Sequence, residues 1–127
     1  MANQFKVLIV DDSSFSRSHL TKLVTNAGHI VAGEASSGAE ALSMLNEKDV
    51  DVVVTDIVMP EMTGIQLTEK ISKSFSDIYI IVVSSLSQEH VILEAISAGA
   101  TDFIPKPVTQ EQINDSLLKI YKMTKEN

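Results

Sequence analysis

Cysteine is absent from this chain, and its histidines show no metal-ligand spacing. Without cysteine the chain can form neither a disulfide nor a thiolate zinc site, which fits a reducing compartment. The histidines are expected at the surface or on helices: His19, His29 and His90.

Basic residues are also few, and no long apolar run occurs. Ten lysines and arginines against 17 acidic residues give a formal net charge of −7. Binding to nucleic acid is not expected, because neutralising phosphates requires clustered basic side chains. No run approaches the roughly 20 apolar residues of a membrane span, and the first residues lack a signal-peptide pattern. Together these absences predict a soluble cytoplasmic protein.

The remaining composition is that of one globular unit. Of the 127 residues, 44% are hydrophobic, which excludes a disordered chain. No repeat, low-complexity tract or linker divides the sequence. We therefore expect a single domain over residues 1–127, with a folded core between about residue 5 and about residue 122.

Short β-branched runs alternate with helical patterns along the chain. The predicted strands are Val7–Val10, Ile30–Ala32, Val52–Val54, Ile78–Val83 and Asp102–Ile104. Glycines mark an end of each of the first four helices, and a capping-box pattern, Thr109–Gln112, opens a fifth. The alternation predicts an α/β fold with a doubly wound, five-stranded parallel sheet in the order 2-1-3-4-5. Pro105 fits this order, because it falls at the end of strand 5, an edge strand.

Three aspartates close two of these strands. Asp11 and Asp12 follow strand 1, and Asp56 follows strand 3. In the predicted order these strands are neighbours, and their carboxyl ends meet in the crevice where ligands bind. A single aspartate at a strand end is often a helix cap, but three converging carboxylates repel one another unless a cation lies among them. The placement predicts a Mg²⁺ site built around a reactive aspartate.

Strands 4 and 5 bring hydroxyl groups and a positive charge to the same edge. Strand 4 runs into Ser84 and Ser85, and Lys106 follows strand 5. A metal ion and a lysine neutralise phosphoryl oxygens, a hydroxyl hydrogen-bonds one of them, and a carboxylate can attack phosphorus to form an acyl phosphate. The residue types therefore predict phosphoryl chemistry. Ser85 or Ser87 is also expected to cap the fourth helix.

Four motifs together resemble the receiver domain of two-component response regulators. They are Val10-Asp-Asp12, Asp56-Ile-Val-Met-Pro60 with Gly64, Val83-Ser84 and Lys106-Pro107, and the resemblance runs from about Lys6 to Tyr121. It implies a flavodoxin-like receiver fold and phosphoryl transfer from the phosphohistidine of a sensor histidine kinase to one aspartate. It also implies a Mg²⁺ cofactor, which Mn²⁺ can replace. Such a domain is a signalling switch rather than an enzyme, catalysing only its own phosphorylation and dephosphorylation.

The resemblance assigns the acidic residues by position. Asp56 matches the phosphoacceptor. Asp11 and Asp12 match the pair that holds Mg²⁺, Asp12 directly and Asp11 partly through water. The family's remaining protein ligand is a backbone carbonyl two residues after the acceptor, which here belongs to Val58.

The resemblance also assigns a switch. Ser84 matches its hydroxyl and Lys106 the phosphate-binding lysine, with a cis bond expected between Lys106 and Pro107. Phe103 matches the aromatic residue that changes rotamer on activation, although plain packing explains it equally well. Val58 and Leu86 are apolar where relatives often carry polar groups that guide water, so we expect slow spontaneous dephosphorylation.

The expected output is protein contact. The chain ends soon after helix 5, so no output domain is expected, and the fourth helix, fifth strand and fifth helix form the expected binding face. The segments Glu34-Ala35 and Glu89–Ile104 resemble chemotaxis regulators, both stand-alone motor-binding proteins and the receivers of methylesterases. A phosphorelay intermediate and a fragment of a longer regulator are alternatives. We expect a monomer and leave dimerisation on phosphorylation open.

Two other classes share parts of this pattern. Haloacid-dehalogenase-type phosphatases also use a nucleophilic aspartate and Mg²⁺, but their motif after strand 1 is Asp-x-Asp, with a second acidic pair downstream. Here the pair is Asp11-Asp12, and no acidic pair follows strand 4. A flavodoxin-like cofactor binder needs a phosphate-binding loop after strand 1, where these two aspartates would repel the phosphate of FMN.

Overall fold

The computed structural model describes residues 4–125. In this part of the chain the strands are β1 (Lys6–Val10), β2 (Ile30–Ala35), β3 (Val52–Asp56), β4 (Tyr79–Ser84) and β5 (Asp102–Pro105). The helices are α1 (Ser14–Asn26), α2 (Gly38–Glu47), α3 (Gly64–Ser74), α4 (Glu89–Ala98) and α5 (Gln110–Lys125).

The strands form one parallel sheet in the order β2-β1-β3-β4-β5. This confirms the predicted α/β fold and its strand order. β1 and β3 are neighbours, and Val10 pairs with Thr55. The next residues, Asp11 and Asp56, therefore emerge side by side at the carboxyl edge of the sheet. Successive parallel strands require a crossover connection, and α1 to α4 supply these connections, whereas α5 follows the last strand.

Helices cover both faces of the sheet, and alternate residues of each strand point to opposite faces. Val7 and Ile9 of β1 belong to the layer beneath α1 and α5. Leu8 and Val10 belong to the layer beneath α2, α3 and α4. All four are fully buried, and each such side chain contributes about 1.5–3 kcal/mol to stability. Two apolar layers thus fix the strand ends that carry the polar residues.

The predicted boundaries differ from the observed ones by only one or two residues in β1, β3, β4 and β5, and by more in β2 and before α4. β2 extends to Ala35, because Gly33 and Glu34 interrupt the β-branched pattern but still pair with β1. The capping box at Thr109 and Gln112 is confirmed, with both reciprocal bonds formed. The expected serine cap of the fourth helix is wrong. α4 begins later, after Gln88, which makes no side-chain capping bond.

His29 is neither a surface nor a helix residue, contrary to expectation. It is half-buried in the turn between α1 and β2, and its Nδ1 accepts a hydrogen bond from the backbone N–H of Phe5 at 2.9 Å. The two rings also stack, with their centroids 5.2 Å apart. His29 therefore secures the chain that enters β1.

Lowering the pH is expected to weaken this contact. Burial lowers the pKa of His29, so the folded protein takes up the proton less readily than the unfolded chain. Its stabilising contribution is present above the ordinary pKa of about 6.5 and is lost as pH falls. A doubly protonated ring cannot accept the Phe5 hydrogen bond, which is worth about 0.5–1.5 kcal/mol.

Urea unfolding at pH 7.5 and pH 5.5 measures this effect. The stability advantage of the native chain over His29→Gln should shrink at the lower pH, whereas His90→Gln, on the exposed surface of α4, should show no such change. An advantage that stays constant between the two pH values would contradict the assignment.

Candidate functional site

Three carboxylates converge at the carboxyl edge of the sheet. One oxygen from each of Asp11, Asp12 and Asp56 lies within 4.8 Å of the others. Asp11 is fully buried, Asp56 is nearly so, and Asp12 is exposed. The predicted convergence is therefore observed, and the exposed Asp12 leaves the cluster open to solvent.

Backbone N–H groups hold the two buried carboxylates in place. Asp11 Oδ1 accepts from the backbone N–H of Ser13 at 2.9 Å, and Asp56 Oδ1 accepts from that of Ile57 at 2.8 Å. The cap of α1 is Ser13, whose hydroxyl accepts from the N–H of Ser16. Asp11 is thus not the helix cap, and its other oxygen faces the crevice.

Lys106 enters the same crevice from the loop after β5. Its Nζ lies 3.1 Å from Asp11 Oδ2 and 3.4 Å from Asp56 Oδ2. Ser84 pairs with Pro105 in the sheet, and the Lys106 backbone N–H donates to the carbonyl of Ser84 at 2.9 Å. The bond from Lys106 to Pro107 is cis, as expected.

The cluster carries uncompensated negative charge. Three carboxylates and one ammonium leave a net charge of −2 when all are ionised. Burial is the main cause that raises the pKa of Asp56, and the charge of Asp11 adds to it, while Lys106 opposes both. A divalent cation would offset this charge, and carboxylate oxygens are the ligands that Mg²⁺ prefers. The donor set therefore fits Mg²⁺.

The loop after Asp56 turns closely around Gly64. The Gly64 N–H donates to the carbonyl of Ile57 at 2.8 Å, and a side chain at Gly64 would collide with the backbone carbonyl of Asp56. Only glycine fits there, and this steric requirement explains why the motif has glycine at position 64. Val58 lies in this loop with 57% of its surface exposed, and the role of its carbonyl as a metal ligand stays a prediction.

The two residues assigned to the switch occupy different environments. Ser84 is fully buried at the end of β4, and its hydroxyl accepts from the N–H of Leu86 at 3.0 Å. Phe103 is partly buried and packs against the apolar layer beneath α2, α3 and α4. In this structure Phe103 is a packing residue, and its change of rotamer on activation stays a prediction.

Sequence reasoning missed two residues that support the crevice. Ser16 accepts a hydrogen bond from Lys106 Nζ at 2.9 Å, across 90 positions of sequence. Arg17 Nη1 donates to the backbone carbonyl of Asp11 at 2.7 Å, and Arg17 Nε lies 3.5 Å from Glu34 Oε1. Both residues lie in the first turn of the helix that follows Asp11-Asp12, and this position in the sequence could have indicated that they lie near the crevice.

A membrane-spanning segment was not expected, and none of the helices in residues 4–125 has both the length and the apolar character to span a bilayer.

Comparisons with known proteins agree on one family. The model of the response regulator receiver domain matches residues 7–118. The chemotaxis protein CheY of Thermotoga maritima is 44% identical over 117 residues, which is 92% of this chain and 98% of that protein. A protein-glutamate methylesterase/protein-glutamine glutaminase of Pyrococcus horikoshii is 38% identical over 122 residues, which is 94% of this chain but 33% of that protein.

A solved structure shares both the fold and the sequence pattern. It is the CheX–CheY complex with BeF₃ and magnesium from Borrelia burgdorferi, with a TM-score of 0.88 and 31% identity. The match covers 92% of this chain and 89% of that one.

Proposed function

Because this chain belongs to the response regulator receiver domain family, and is thus a switch of two-component signalling, we propose that Asp56 is its phosphoacceptor. The observation that carries the proposal is the crevice in which the Asp56 carboxylate faces both the Asp11-Asp12 pair and the ammonium of Lys106. The other two aspartates are the metal-binding pair in this proposal, with Asp11 fully buried and Asp12 exposed.

The proposed reaction is an attack of the Asp56 carboxylate on phosphorus. A new bond forms between the carboxylate oxygen and phosphorus, the bond from phosphorus to the donor's leaving atom breaks, and that atom keeps the electron pair. Lys106 neutralises charge on the phosphoryl oxygens. The hydroxyl of Ser84 hydrogen-bonds one of these oxygens and so responds to the modification.

The proposed cofactor is Mg²⁺, with Mn²⁺ as a substitute. Asp11, Asp12, Asp56 and the backbone carbonyl of Val58 would hold it, and it would supply positive charge against the phosphoryl oxygens. The fit rests on the oxygen donors and on the uncompensated charge of the cluster.

The proposed partners are a sensor histidine kinase as the donor and a downstream protein bound through α4, β5 and α5. Exposed apolar side chains on these helices support the output face: Leu93, Ile96, Leu118 and Met123. The relatives named CheY favour a role in chemotaxis. The methylesterase relative, of which this chain covers a third, supports the alternative of a receiver within a longer regulator.

The phosphatase alternative finds no support. A second acidic pair would be required after β4, and the chain there reads Ser85-Leu-Ser-Gln88. Membership of the receiver family, over residues 7–118, points the same way.

The test of this proposal is incubation with acetyl phosphate and Mg²⁺, followed by intact mass. We expect one added phosphoryl group per chain. The proposal fails if no adduct forms with acetyl phosphate, with other small phosphodonors or with a phosphorylated histidine kinase.

Spontaneous dephosphorylation is expected to be slow. Val58 and Leu86, two residues after Asp56 and Ser84, have exposed apolar side chains, which cannot orient an attacking water. The double variant Val58→Asn/Leu86→Gln keeps the Val58 backbone carbonyl and adds two polar groups. It should shorten the lifetime of the phosphorylated state by roughly 10-fold or more, as expected when a polar group assists the attacking water.

The decay of the intact-mass adduct after removal of the donor measures this lifetime. Leu93→Gln, an exposed apolar residue of α4 away from the crevice, is the matched control and should decay like the native chain. A native lifetime as short as that of fast chemotaxis regulators would contradict the prediction, because it would show that hydrolysis is fast without a polar group at either position.

A further inference from the structure

The ammonium of Lys106 is surrounded by three oxygens. Its Nζ lies 2.9 Å from Ser16 Oγ, 3.1 Å from Asp11 Oδ2 and 3.4 Å from Asp56 Oδ2. A lysine ammonium has three N–H donors, so each oxygen can accept one. Ser16 is the nearest of the three partners and the only neutral one among them.

The two carboxylates have other roles in the proposed function. A divalent cation draws on Asp11 and Asp56, and the phosphoryl group forms on Asp56 itself. Both changes weaken the hold of these carboxylates on Lys106, since their negative charge is then shared or consumed. The Ser16 hydroxyl carries no charge and is not in the acidic cluster, so neither event removes it.

Ser16 is also fixed in space. It lies in the first turn of α1, half-buried, and its backbone N–H donates to the cap residue Ser13 at 3.2 Å. Lys106, in contrast, carries its charge on a flexible four-carbon stem that loses conformational entropy when it is held. An anchored hydroxyl therefore reduces the freedom that Lys106 must give up when it meets a phosphoryl oxygen.

We propose that Ser16 is a positioning residue, which keeps the Lys106 ammonium in the crevice once its carboxylate partners are engaged elsewhere. The inference rests on the proposed role of Lys106 as the phosphate-binding lysine. It predicts that Ser16→Ala weakens binding of a phosphoryl group while leaving Mg²⁺ affinity unchanged.

The experiment is a calorimetric titration of the full chain with beryllofluoride, a phosphoryl mimic, at saturating Mg²⁺. Ser16→Ala should bind it about threefold to tenfold more weakly, as expected for the loss of one hydrogen bond of ordinary net strength. Ser16→Thr keeps the hydroxyl and should restore the affinity. Ser18→Ala, an exposed serine on the same helix, is the matched control and should bind like the native chain.

A double-variant cycle with Lys106→Met separates positioning from a general structural effect. If Ser16 acts through Lys106, Ser16→Ala should cause no further weakening once Lys106 is Met. An equal weakening in both backgrounds, or native affinity in Ser16→Ala while Lys106→Met binds weakly, would overturn the inference. Native affinity in Lys106→Met would overturn the phosphate-binding role of that lysine, and this inference with it.

Urea unfolding without metal gives a second measurement, which stays decisive if Lys106→Met abolishes beryllofluoride binding. The contact between Ser16 and Lys106 should then appear as a coupling between the two substitutions. Strict additivity of their effects would show that the hydroxyl does not hold the ammonium.

Discussion

Asp56→Asn is expected to abolish phosphorylation of this chain. The substitution keeps the size of the side chain and one oxygen, so the backbone N–H of Ile57 can still donate to residue 56. It removes the anionic nucleophile, because an amide does not attack phosphorus as a carboxylate does. With acetyl phosphate and Mg²⁺, the intact-mass adduct should fall by at least about 100-fold.

Loss of the adduct will not reflect unfolding. Burial raises the pKa of Asp56, with the charge of Asp11 adding to the effect. Stability without metal is therefore highest when Asp56 is protonated, and it declines as pH rises through that raised pKa. Near pH 7 the Asp56→Asn variant, whose side chain is neutral, should accordingly resist urea at least as well as the native chain in the absence of metal.

Asp115→Asn is the matched control for this prediction. Asp115 is an exposed aspartate of α5, and its variant should be phosphorylated like the native chain. An adduct of native yield in Asp56→Asn would move the acceptor to another residue, and peptide mapping would then identify it.

Removal of the divalent cation should have an effect of similar size. In the presence of a chelator we expect no adduct from acetyl phosphate, because an anionic carboxylate must approach an anionic donor. Asp12→Asn should weaken Mg²⁺ binding by roughly 10- to 100-fold, the effect of losing one charged ligand. Asp12 is exposed, so the substitution should leave the fold intact.

Magnesium-dependent unfolding measures the same site without any phosphoryl donor. A ligand that binds only the folded chain raises its stability according to its concentration relative to the dissociation constant. At one saturating Mg²⁺ concentration, tenfold weaker binding costs about 1.4 kcal/mol of that gain. Asp115→Asn should keep the full gain. Equal stabilisation of Asp12→Asn and the native chain would remove Asp12 from the metal site, and an adduct formed in chelator would show that the reaction does not require the metal.

The strands and helices were predictable because their causes are local, and a fold-level rule then supplied the strand order. A β-branched run indicates a buried strand, and the spacing of apolar residues indicates a crossover helix. The sheet of β1 to β5 follows from the alternation of these patterns and from the right-handedness of the crossovers. The end of β2 was less predictable. Gly33 and Glu34 carry no strand pattern, and their pairing depends on the neighbouring β1.

The start of α4 shows the same limit. Three serines near residues 84–87 are good caps by type, yet the hydroxyl of Ser84 accepts from Leu86 and the helix begins after Gln88. Side-chain type predicts that a cap is available, whereas the path of the loop decides whether it is used.

The sequence by itself determined which chemical groups stand at the ends of the strands. Asp11, Asp12, Asp56 and Lys106 could be assigned because a parallel sheet brings all its carboxyl ends to one edge. Only the tertiary structure joined Lys106 to Ser16, across 90 positions. Strand and helix periods arise from the backbone within a few residues, whereas this contact requires α1 to lie beside the loop after β5, which packing of the whole core decides.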